Sequence, residues 1–414
     1  MFIRTALPLA AFALAAPSLA QDRPVLTLPG DELERAEEAA IVPAGETPLS
    51  ADELLEPFYA QLRRTVVMPV APVGAPAPGE RQTLTRIALG SCNHQSRSQH
   101  MWAQIERTDP DLFLLIGDNV YGDYGWAGDA SLASLREAYA KQSSHPEFQA
   151  FRAQVPMMTT WDDHDYGLND AGAAFAFKSF SEDIYEHYWG APTEVRERPG
   201  IYHSQMFGPE GERVQIILLD TRFFRSELKT GGYQDPRPPL GPYIADEAPE
   251  RQMLGEDQFA WLEAELAKPA DLRILVSSVQ VLTDAHQYEA WATLPAERRK
   301  LLNALAQRNG GGLVMLSGDR HAGGIYNAAL ADFTEAPTED ERFWELTSSS
   351  LNLAFSTTEQ QTEREPDDRR VSDFIGEENF GLVEIDWPRN ELRLELRGNQ
   401  GEVRASQTIG WTAD

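Results

Sequence analysis

The sequence contains a single cysteine, Cys92, among 414 residues, so an intramolecular disulfide is impossible. It also lacks the G-x-S-x-G pattern of a nucleophile elbow, which argues against a serine esterase. The P-loop pattern is missing too, which argues against nucleotide-driven phosphoryl transfer. A lone thiol in an oxidising compartment is open to oxidation. Cys92 is therefore expected to be either buried and inert or functional.

Basic residues are few. The chain has 36 Lys and Arg but 65 Asp and Glu, which gives a formal net charge of −29. A charge of this sign and size argues against a nucleic-acid scaffold role and against binding to anionic membranes. If the substrate is itself an anion, something local must overcome the overall repulsion. Bound metal ions are the obvious source of that positive charge.

Long apolar runs are scarce, and the one at the start of the chain has the features of a signal peptide. Arg4 supplies the positive region, a Leu- and Ala-rich core follows, and Ser18-Leu19-Ala20 is a small-residue cleavage site. A membrane anchor is the alternative, but the run is shorter than the roughly 20 residues that a span needs. The single arginine favours the general secretory route over the twin-arginine route. We therefore expect a periplasmic or secreted protein without stable membrane anchoring; the oligomeric state is not predicted.

The remaining chain divides at about Thr83. Residues 21–82 are predicted to form an N-terminal helix, Ala51–Arg64 capped by Ser50, and a strap rich in Pro, Ala and Gly. Residues 83–410 alternate apolar strands with helical segments, which predicts one large α/β domain with buried strands.

The apolar runs of this domain predict seven strands: Leu84–Leu89, Leu112–Ile116, Met157–Thr160, Val214–Leu219, Arg273–Ser277, Leu313–Leu316 and Phe343–Leu346. Helical periodicity covers five segments: Ser98–Arg107, Ser131–Lys141, Ala173–Tyr188, Gly255–Ala267 and Pro295–Gln307. Two further runs, Gly381–Asp386 and Glu391–Leu396, flank Trp387–Asn390 and predict a closing hairpin. The polar segments Leu228–Pro249 and Asp332–Phe343 are expected to be surface insertions near the mouth of the site.

Four polar clusters each follow a predicted strand: residues 90–94 (GSCNH), 117–123 (GDNVYGD), 161–165 (WDDHD) and 318–321 (GDRH). Because ligands of open α/β sheets bind beyond the carboxyl ends of the strands, the four clusters are expected to converge. Each has an ordinary explanation on its own, as a helix cap, a turn or a buried thiol. Together they indicate a metal site, since clustered carboxylates are costly to bury unless a cation neutralises them.

These clusters, with 219–222 (LDTR) and 276–280 (VSSVQ), resemble the PhoD-type alkaline phosphatases, a branch of the calcineurin-like metallophosphoesterases, over residues 83 to 400. The resemblance implies a two-sheet β-sandwich core flanked by helices and a site with Fe(III) and Ca(II). It would make residues 83–410 the catalytic domain and Asp118 the ligand shared by both metals. The other ligands that it implies are Cys92, Tyr121 and His321 on the iron side, and Asp163 and Asp319 on the calcium side.

The sequence departs from this family in three places. The leader lacks twin arginines, and the segment before Thr83 is too short and too Pro-rich for the family's N-terminal β-sandwich domain. Asp165 stands where glutamate is frequent, a change that affects only the surroundings of the metal ligands. The first two departures concern export and accessory structure.

A charge count supports the metal identity. The thiolate of Cys92, the phenolate of Tyr121 and the carboxylates of Asp118, Asp163 and Asp319 carry five negative charges, which a trivalent and a divalent ion would balance. Two zinc ions would leave the site negative, so that it would repel a phosphate. Tyrosine, with a free pKa near 10, also needs a strongly acidic ion to ionise at neutral pH.

The expected activity is hydrolysis of small phosphoesters, monoesters and also diesters, by water activated at the metals. His164 is the candidate proton donor to the leaving group. Arg222 either holds a phosphate oxygen or forms a salt bridge to a nearby acid, and Asn93 and Asn169 are further candidate substrate contacts. Two alternatives remain: a phospholipase-D-like phosphodiesterase on the same fold, and a non-catalytic metal-binding protein of the cell envelope.

Overall fold

The structure is a computed structural model that describes residues 50–231, 239–333 and 342–412. The predicted signal peptide and residues 21–49 lie outside this part of the chain, as do the middles of the two predicted insertions. Among the described residues, no helix combines the length and the apolar character that crossing a membrane requires.

The strands of the described residues form two sheets of six. In chain order they are β1 Arg86–Gly90, β2 Leu112–Ile116, β3 Met157–Thr160, β4 His203–Phe207, β5 Val214–Leu218, β6 Leu272–Val276, β7 Gly312–Ser317, β8 Gly324–Ala329, β9 Arg342–Thr347, β10 Asn379–Asp386, β11 Glu391–Gly398 and β12 Val403–Gly410. The first sheet has the order β12-β11-β10-β1-β2-β3 and the second β4-β5-β6-β7-β9-β8. Strands β1 to β3 are parallel to one another, as are β5, β6, β7 and β9.

The two sheets pack face to face through one apolar cluster, which explains the continuous apolar runs of the sequence. In β2, Leu112, Leu114 and Ile116 join the cluster between the sheets, whereas Phe113 and Leu115 join a second cluster with the covering helices. Because successive side chains of a strand point to opposite faces, a strand buried on both faces is apolar at most of its positions.

Helices cover the outer faces of both sheets. In chain order they are α1 Ala51–Thr65, α2 Met101–Glu106, α3 Ala133–Ser143, α4 Pro146–Gln154, α5 Asp163–Tyr166, α6 Lys178–Trp189, α7 Thr193–Arg196, α8 Gly255–Leu266, α9 Pro295–Ala306 and α10 Thr358–Arg364. Helices α2 and α4 pack on the first sheet, and α8 and α9 on the second. The predicted arrangement of helix, sheet, sheet and helix is confirmed.

The N-terminal helix and strap lie against the first layer of helices. Ser50 and Glu53 form a capping box at the start of α1, and the ring of Tyr59 stacks on Phe180 of α6 at 5.5 Å. The strap follows in extended conformation, and its Ala71 amide donates to the carbonyl of Tyr188 at 3.0 Å. This segment is therefore held by side-chain packing and by backbone hydrogen bonds.

Several predicted boundaries differ from the structure. The helix predicted from residue 173 begins at Lys178, and the helix predicted over 98–107 covers only Met101–Glu106. Strands β4, β8 and β12 and helices α4, α5, α7 and α10 were not predicted. All three missed strands lie at sheet edges, where one side of the strand has no neighbour and the side chains need not be apolar.

Candidate metal centre

The four polar clusters meet at one end of the stacked sheets. Three of them follow the parallel strands β1, β2 and β3, and the fourth follows β7. The clusters contact one another directly: the Asn93 amide donates to the Asp118 carbonyl at 2.9 Å, and the Asp118 amide donates to the Asp165 carboxylate at 3.2 Å. The convergence expected from the sequence is therefore present in the fold.

Two glycines make this close approach possible. Gly117 has φ +113°, and a Cβ atom there would lie 2.6 Å from the Cβ of Asp162. At Gly318, a Cβ atom would lie 2.5 Å from Oγ of Ser91. Contacts this short do not occur between real side chains, so glycine is required at both positions of the two Gly-Asp motifs.

Four of the predicted ligands adopt the left-handed backbone conformation, with φ 57° at Cys92, 50° at Asp118, 64° at Asp319 and 52° at His321. This conformation is uncommon for residues with a Cβ and costs on the order of 1–3 kcal/mol. Strain of this kind persists where the surrounding structure imposes it, typically at functional sites. Its coincidence with the predicted ligands makes this end of the sheets the candidate functional site.

The first group of side chains, here called the thiol–phenol cluster, consists of Cys92, Asp118, Tyr121 and His321. Oδ2 of Asp118 lies 3.3 Å from the Cys92 sulfur and 3.0 Å from the Tyr121 hydroxyl. Nε2 of His321 lies 3.5 Å from the same hydroxyl. Donor atoms of Cys92, Asp118 and His321 all lie within 4.8 Å of one another, as they would around a single metal ion.

His321 is held in one orientation by the residues that surround it. Its Nδ1 lies 2.6 Å from the carbonyl of Leu353, and its backbone amide donates to Oγ of Ser349 at 2.7 Å. A ring nitrogen bound to a carbonyl carries the proton, which leaves Nε2 as the lone-pair donor facing the cluster. Ser349 Oγ also lies 3.0 Å from the Cys92 sulfur, so one serine supports both residues.

The second group, here called the carboxylate cluster, consists of Asp162, Asp163 and Asp319, whose oxygens lie within 4.8 Å of one another. Asp118 belongs to a further group with Asp163 and His164 at the same spacing, so it lies between the two clusters. Asp162 was not predicted as a ligand, although it stands directly before Asp163 in the sequence. Its Oδ2 is buried and accepts no hydrogen bond, which is a costly arrangement unless a cation binds there.

Burial and mutual repulsion raise the pKa values of the three acidic groups in the thiol–phenol cluster, whereas burial lowers that of His321. Burial, reinforced by the Asp118 carboxylate, raises the pKa of Cys92 and that of Tyr121 well above their ordinary values. Burial also raises the pKa of Asp118, assisted by the carboxylates of Asp163 and Asp162 and opposed by His164. Cations would reverse these shifts, because they favour the ionised forms.

In the carboxylate cluster, the pKa values of Asp319 and Asp163 are shifted in opposite directions. Burial raises the pKa of Asp319 well above its usual range, and the nearby Asp162 and Asp163 add to the effect. Burial would also raise the pKa of Asp163, but the charges of His164 and Arg222 outweigh it and lower that pKa. Asp163 is therefore the carboxylate most readily ionised in this cluster.

His164 lies beside both clusters, and its orientation is fixed. Its Nδ1 is 2.7 Å from the Asp123 carboxylate, and its backbone amide donates to Oδ1 of Asp163 at 2.9 Å. Burial would lower its pKa, but the carboxylates of Asp163, Asp123 and Asp118 raise it well above the ordinary value. Asp123 was not assigned a role from the sequence, although it closes the GDNVYGD motif.

Arg222 is fully buried and forms two close ion pairs. Its Nε lies 2.5 Å from Oδ1 of Asp162, and its Nη1 lies 2.5 Å from Oε2 of Glu289. Arg225 lies 2.7 Å from the other oxygen of Glu289. The structure thus contains the salt bridges that were one of the two alternatives for Arg222. The other alternative, a role in holding phosphate, stays a prediction. Glu289 carries no sequence signal that could have identified it.

The two predicted asparagines lie beside the clusters rather than in them. Asn93 is 2% exposed; its amide nitrogen lies 3.3 Å from the Asn119 carbonyl, and its amide oxygen accepts from Asn352 at 3.1 Å. Asn169 is half-buried, and its backbone amide donates to the Asp123 carboxylate at 3.1 Å. Both positions support the loops of the site, and direct substrate contact stays a prediction.

A thiol, a phenol, an imidazole and several buried carboxylates at one end of two stacked sheets define an α/β protein with a candidate site for two metal ions. A family model for PhoD-like phosphatases matches residues 87–396. The chain belongs to this family. The matched residues include all six predicted metal ligands.

Two known proteins illustrate the relationship. Alkaline phosphatase D of Bacillus subtilis (strain 168) is 24% identical over 295 residues, which cover 61% of this chain and 49% of that protein. The match therefore spans about half the length of this relative. A solved structure described as that of PhoD has a TM-score of 0.59 and 18% identity, covering 81% of this chain and 70% of that chain. At this identity the likeness supports the fold alone.

Proposed function

We propose that this chain is an exported, metal-dependent phosphoester hydrolase that acts on small phosphoesters. The observation that carries the proposal is the position of Asp118, which contacts the thiol–phenol cluster through one oxygen and lies within ligand spacing of Asp163. A carboxylate shared by two groups of ligands suits two neighbouring metal ions, an arrangement that stabilises both the attacking and the leaving oxygen of phosphoryl transfer.

The donor atoms fit iron(III) in the thiol–phenol cluster and calcium in the carboxylate cluster. Thiolate, phenolate and imidazole are ligands for a transition metal, whereas carboxylate oxygens alone suit a hard ion such as calcium. Including Asp162 does not change the count of five negative charges. The charges of Asp162 and Glu289 are balanced by those of Arg222 and Arg225, with which they are paired. The predicted ligands thus still balance one trivalent and one divalent ion.

Bound ions would supply Lewis-acid activation of water and stabilisation of charge on the phosphoryl oxygens. The chain itself contributes a positioned acid. His164 is held by Asp123 at Nδ1, which directs Nε2 away from that carboxylate. The carboxylates around it favour its protonated form, so Nε2 carries the proton that a leaving alkoxide requires.

Purified protein loaded with iron and calcium should be assayed in parallel on p-nitrophenyl phosphate, bis-p-nitrophenyl phosphate and phosphatidylcholine. Hydrolysis of the monoester, with or without the diester, supports the proposal. Turnover of phosphatidylcholine alone would replace it with a phospholipase-D-like activity. A metal-loaded protein that is inert on the whole panel would contradict catalysis and favour a metal-binding role in the envelope.

We infer export from the leader pattern of residues 1–20, and the assignment of residues 83–410 as the catalytic domain agrees with the family match over 87–396. N-terminal sequencing of protein recovered from the periplasm or medium should begin after Ala20. Recovery of the intact N-terminus from a membrane fraction would contradict the cleaved signal peptide.

A further inference from the structure

Two aromatic side chains are exposed beside the candidate metal centre. Tyr124 is 43% exposed and Phe355 is 64% exposed. Among the described residues, the other large apolar side chains with comparable exposure are all valines. Exposed aromatic rings leave an apolar face in water, and these two are linked through Tyr121 and His321, whose ring centroids lie 6.3 Å apart.

Both rings contact histidines of the site. The Phe355 ring lies 4.4 Å from that of His321, centroid to centroid. The Tyr124 ring lies 5.3 Å from that of His164, with the two planes perpendicular, and 5.2 Å from that of Tyr121. The exposed aromatics therefore border the thiol–phenol cluster and the proposed proton donor.

The positions of these rings are fixed by the same segments that orient the histidines. Tyr124 directly follows Asp123, whose carboxylate holds His164 at 2.7 Å. Phe355 lies two residues after Leu353, whose carbonyl holds His321 at 2.6 Å. Rings placed by such short connections are pre-organised, and binding a flat group against them costs little ordering.

We propose that Tyr124 and Phe355 form an aromatic rim that binds a flat ring in the leaving group of the substrate, as in a nucleoside phosphate. This inference rests on the proposed hydrolysis of phosphoesters and specifies its substrate class. Aromatic faces stack on every base, and such stacking tolerates differences in sequence and substituent.

A lipid leaving group fits the rim less well. Binding an acyl chain or a membrane surface requires a contiguous apolar area, whereas here two single rings are interspersed with histidines. The net charge of −29 also opposes contact with anionic membranes. The rim therefore suits a small soluble ester that carries one planar group.

Adenosine 5′-monophosphate and ribose 5-phosphate provide a matched test, because both are 5′ esters of ribose and only the base differs. We expect kcat/KM to be higher for the nucleotide. In Tyr124→Ser and Phe355→Ser, the ratio of the two kcat/KM values should fall about tenfold for each ring, the lower part of the range for one stacked base. Val73→Ala is the control, since Val73 is an exposed apolar side chain of the strap, and it should leave the ratio unchanged.

Adenosine binding can be measured by saturation-transfer NMR, with ribose as the negative control. This readout does not depend on turnover. Wild-type protein should show transfer to the base, and the double variant Tyr124→Ser/Phe355→Ser should lose it. Equal kcat/KM for the two substrates, or equal losses on both in the variants, would overturn the aromatic rim. Adenosine binding by a metal-loaded protein that hydrolyses no phosphoester would instead overturn the proposed function and leave the rim standing.

Discussion

Replacing Arg222 with methionine is expected to destabilise the protein far more than removing a surface ion pair. The guanidinium is fully buried and lies 2.5 Å from both Asp162 and Glu289. Methionine has a comparable length, so the substitution leaves little empty volume and the cost is mainly electrostatic. Breaking a buried pair by removing one partner costs about 3–5 kcal/mol, because the other charge is left uncompensated.

The unfolding free energies of wild-type and variant proteins can be compared by urea denaturation. Arg299→Met is the matched control, because Arg299 pairs with Glu247 at 3.8 Å and both side chains are more than half exposed. That change should cost less than about 1 kcal/mol. Adding Asp162→Asn to Arg222→Met should recover part of the loss, since the neutral amide no longer leaves a buried charge unpaired.

A stable variant that binds substrate poorly would contradict the structural role of Arg222. If Arg222→Met unfolds within about 1 kcal/mol of wild type while KM for a phosphoester rises strongly, then Arg222 holds phosphate and its ion pairs contribute little. The same variant thus separates the two roles that the sequence leaves open.

Three further substitutions have distinct outcomes. Asp118→Asn should abolish metal loading, measured by elemental analysis, together with turnover; a loaded and active variant would contradict the shared-ligand role. His164→Gln should keep its metals but lower kcat by about 10²–10⁴-fold, and near wild-type rates on aryl and alkyl esters alike would show that its assigned role is wrong. Burial raises the pKa of Glu182 to about 9, so the stability that this group contributes should fall as pH rises from the unfolded value near 4.5 towards 9. Relative to wild type, Glu182→Gln should therefore gain about 5 kcal/mol between pH 5 and pH 9, at about 1.4 kcal/mol per pKa unit, and a constant difference would contradict this.

The architecture was largely predictable from the sequence because its central strands are buried on both faces. Strand β2 is uniformly apolar and β6 is apolar apart from Arg273, and the hairpin of β10 and β11 is marked by its turn. The edge strand β12 is mostly exposed and half of its residues are polar, so it gives no such signal. Edge pairing is decided by the neighbouring strand, which a local pattern does not reveal.

The convergence of the candidate ligands was predictable where a short motif carries them. The six predicted ligands follow strands that end at the same place, and the fold brings them together. Asp162 was missed because two adjacent aspartates offer no means of choosing between them. Glu289 was missed for a different reason: it stands alone in the sequence, and only the tertiary structure places its carboxylate beside Arg222.

The most direct test of the central claim is elemental analysis of protein purified from its own compartment, together with its visible absorption spectrum. We predict one iron and one calcium per chain, and a phenolate-to-iron absorption band that Tyr121→Phe removes. A colourless protein that contains zinc would contradict it.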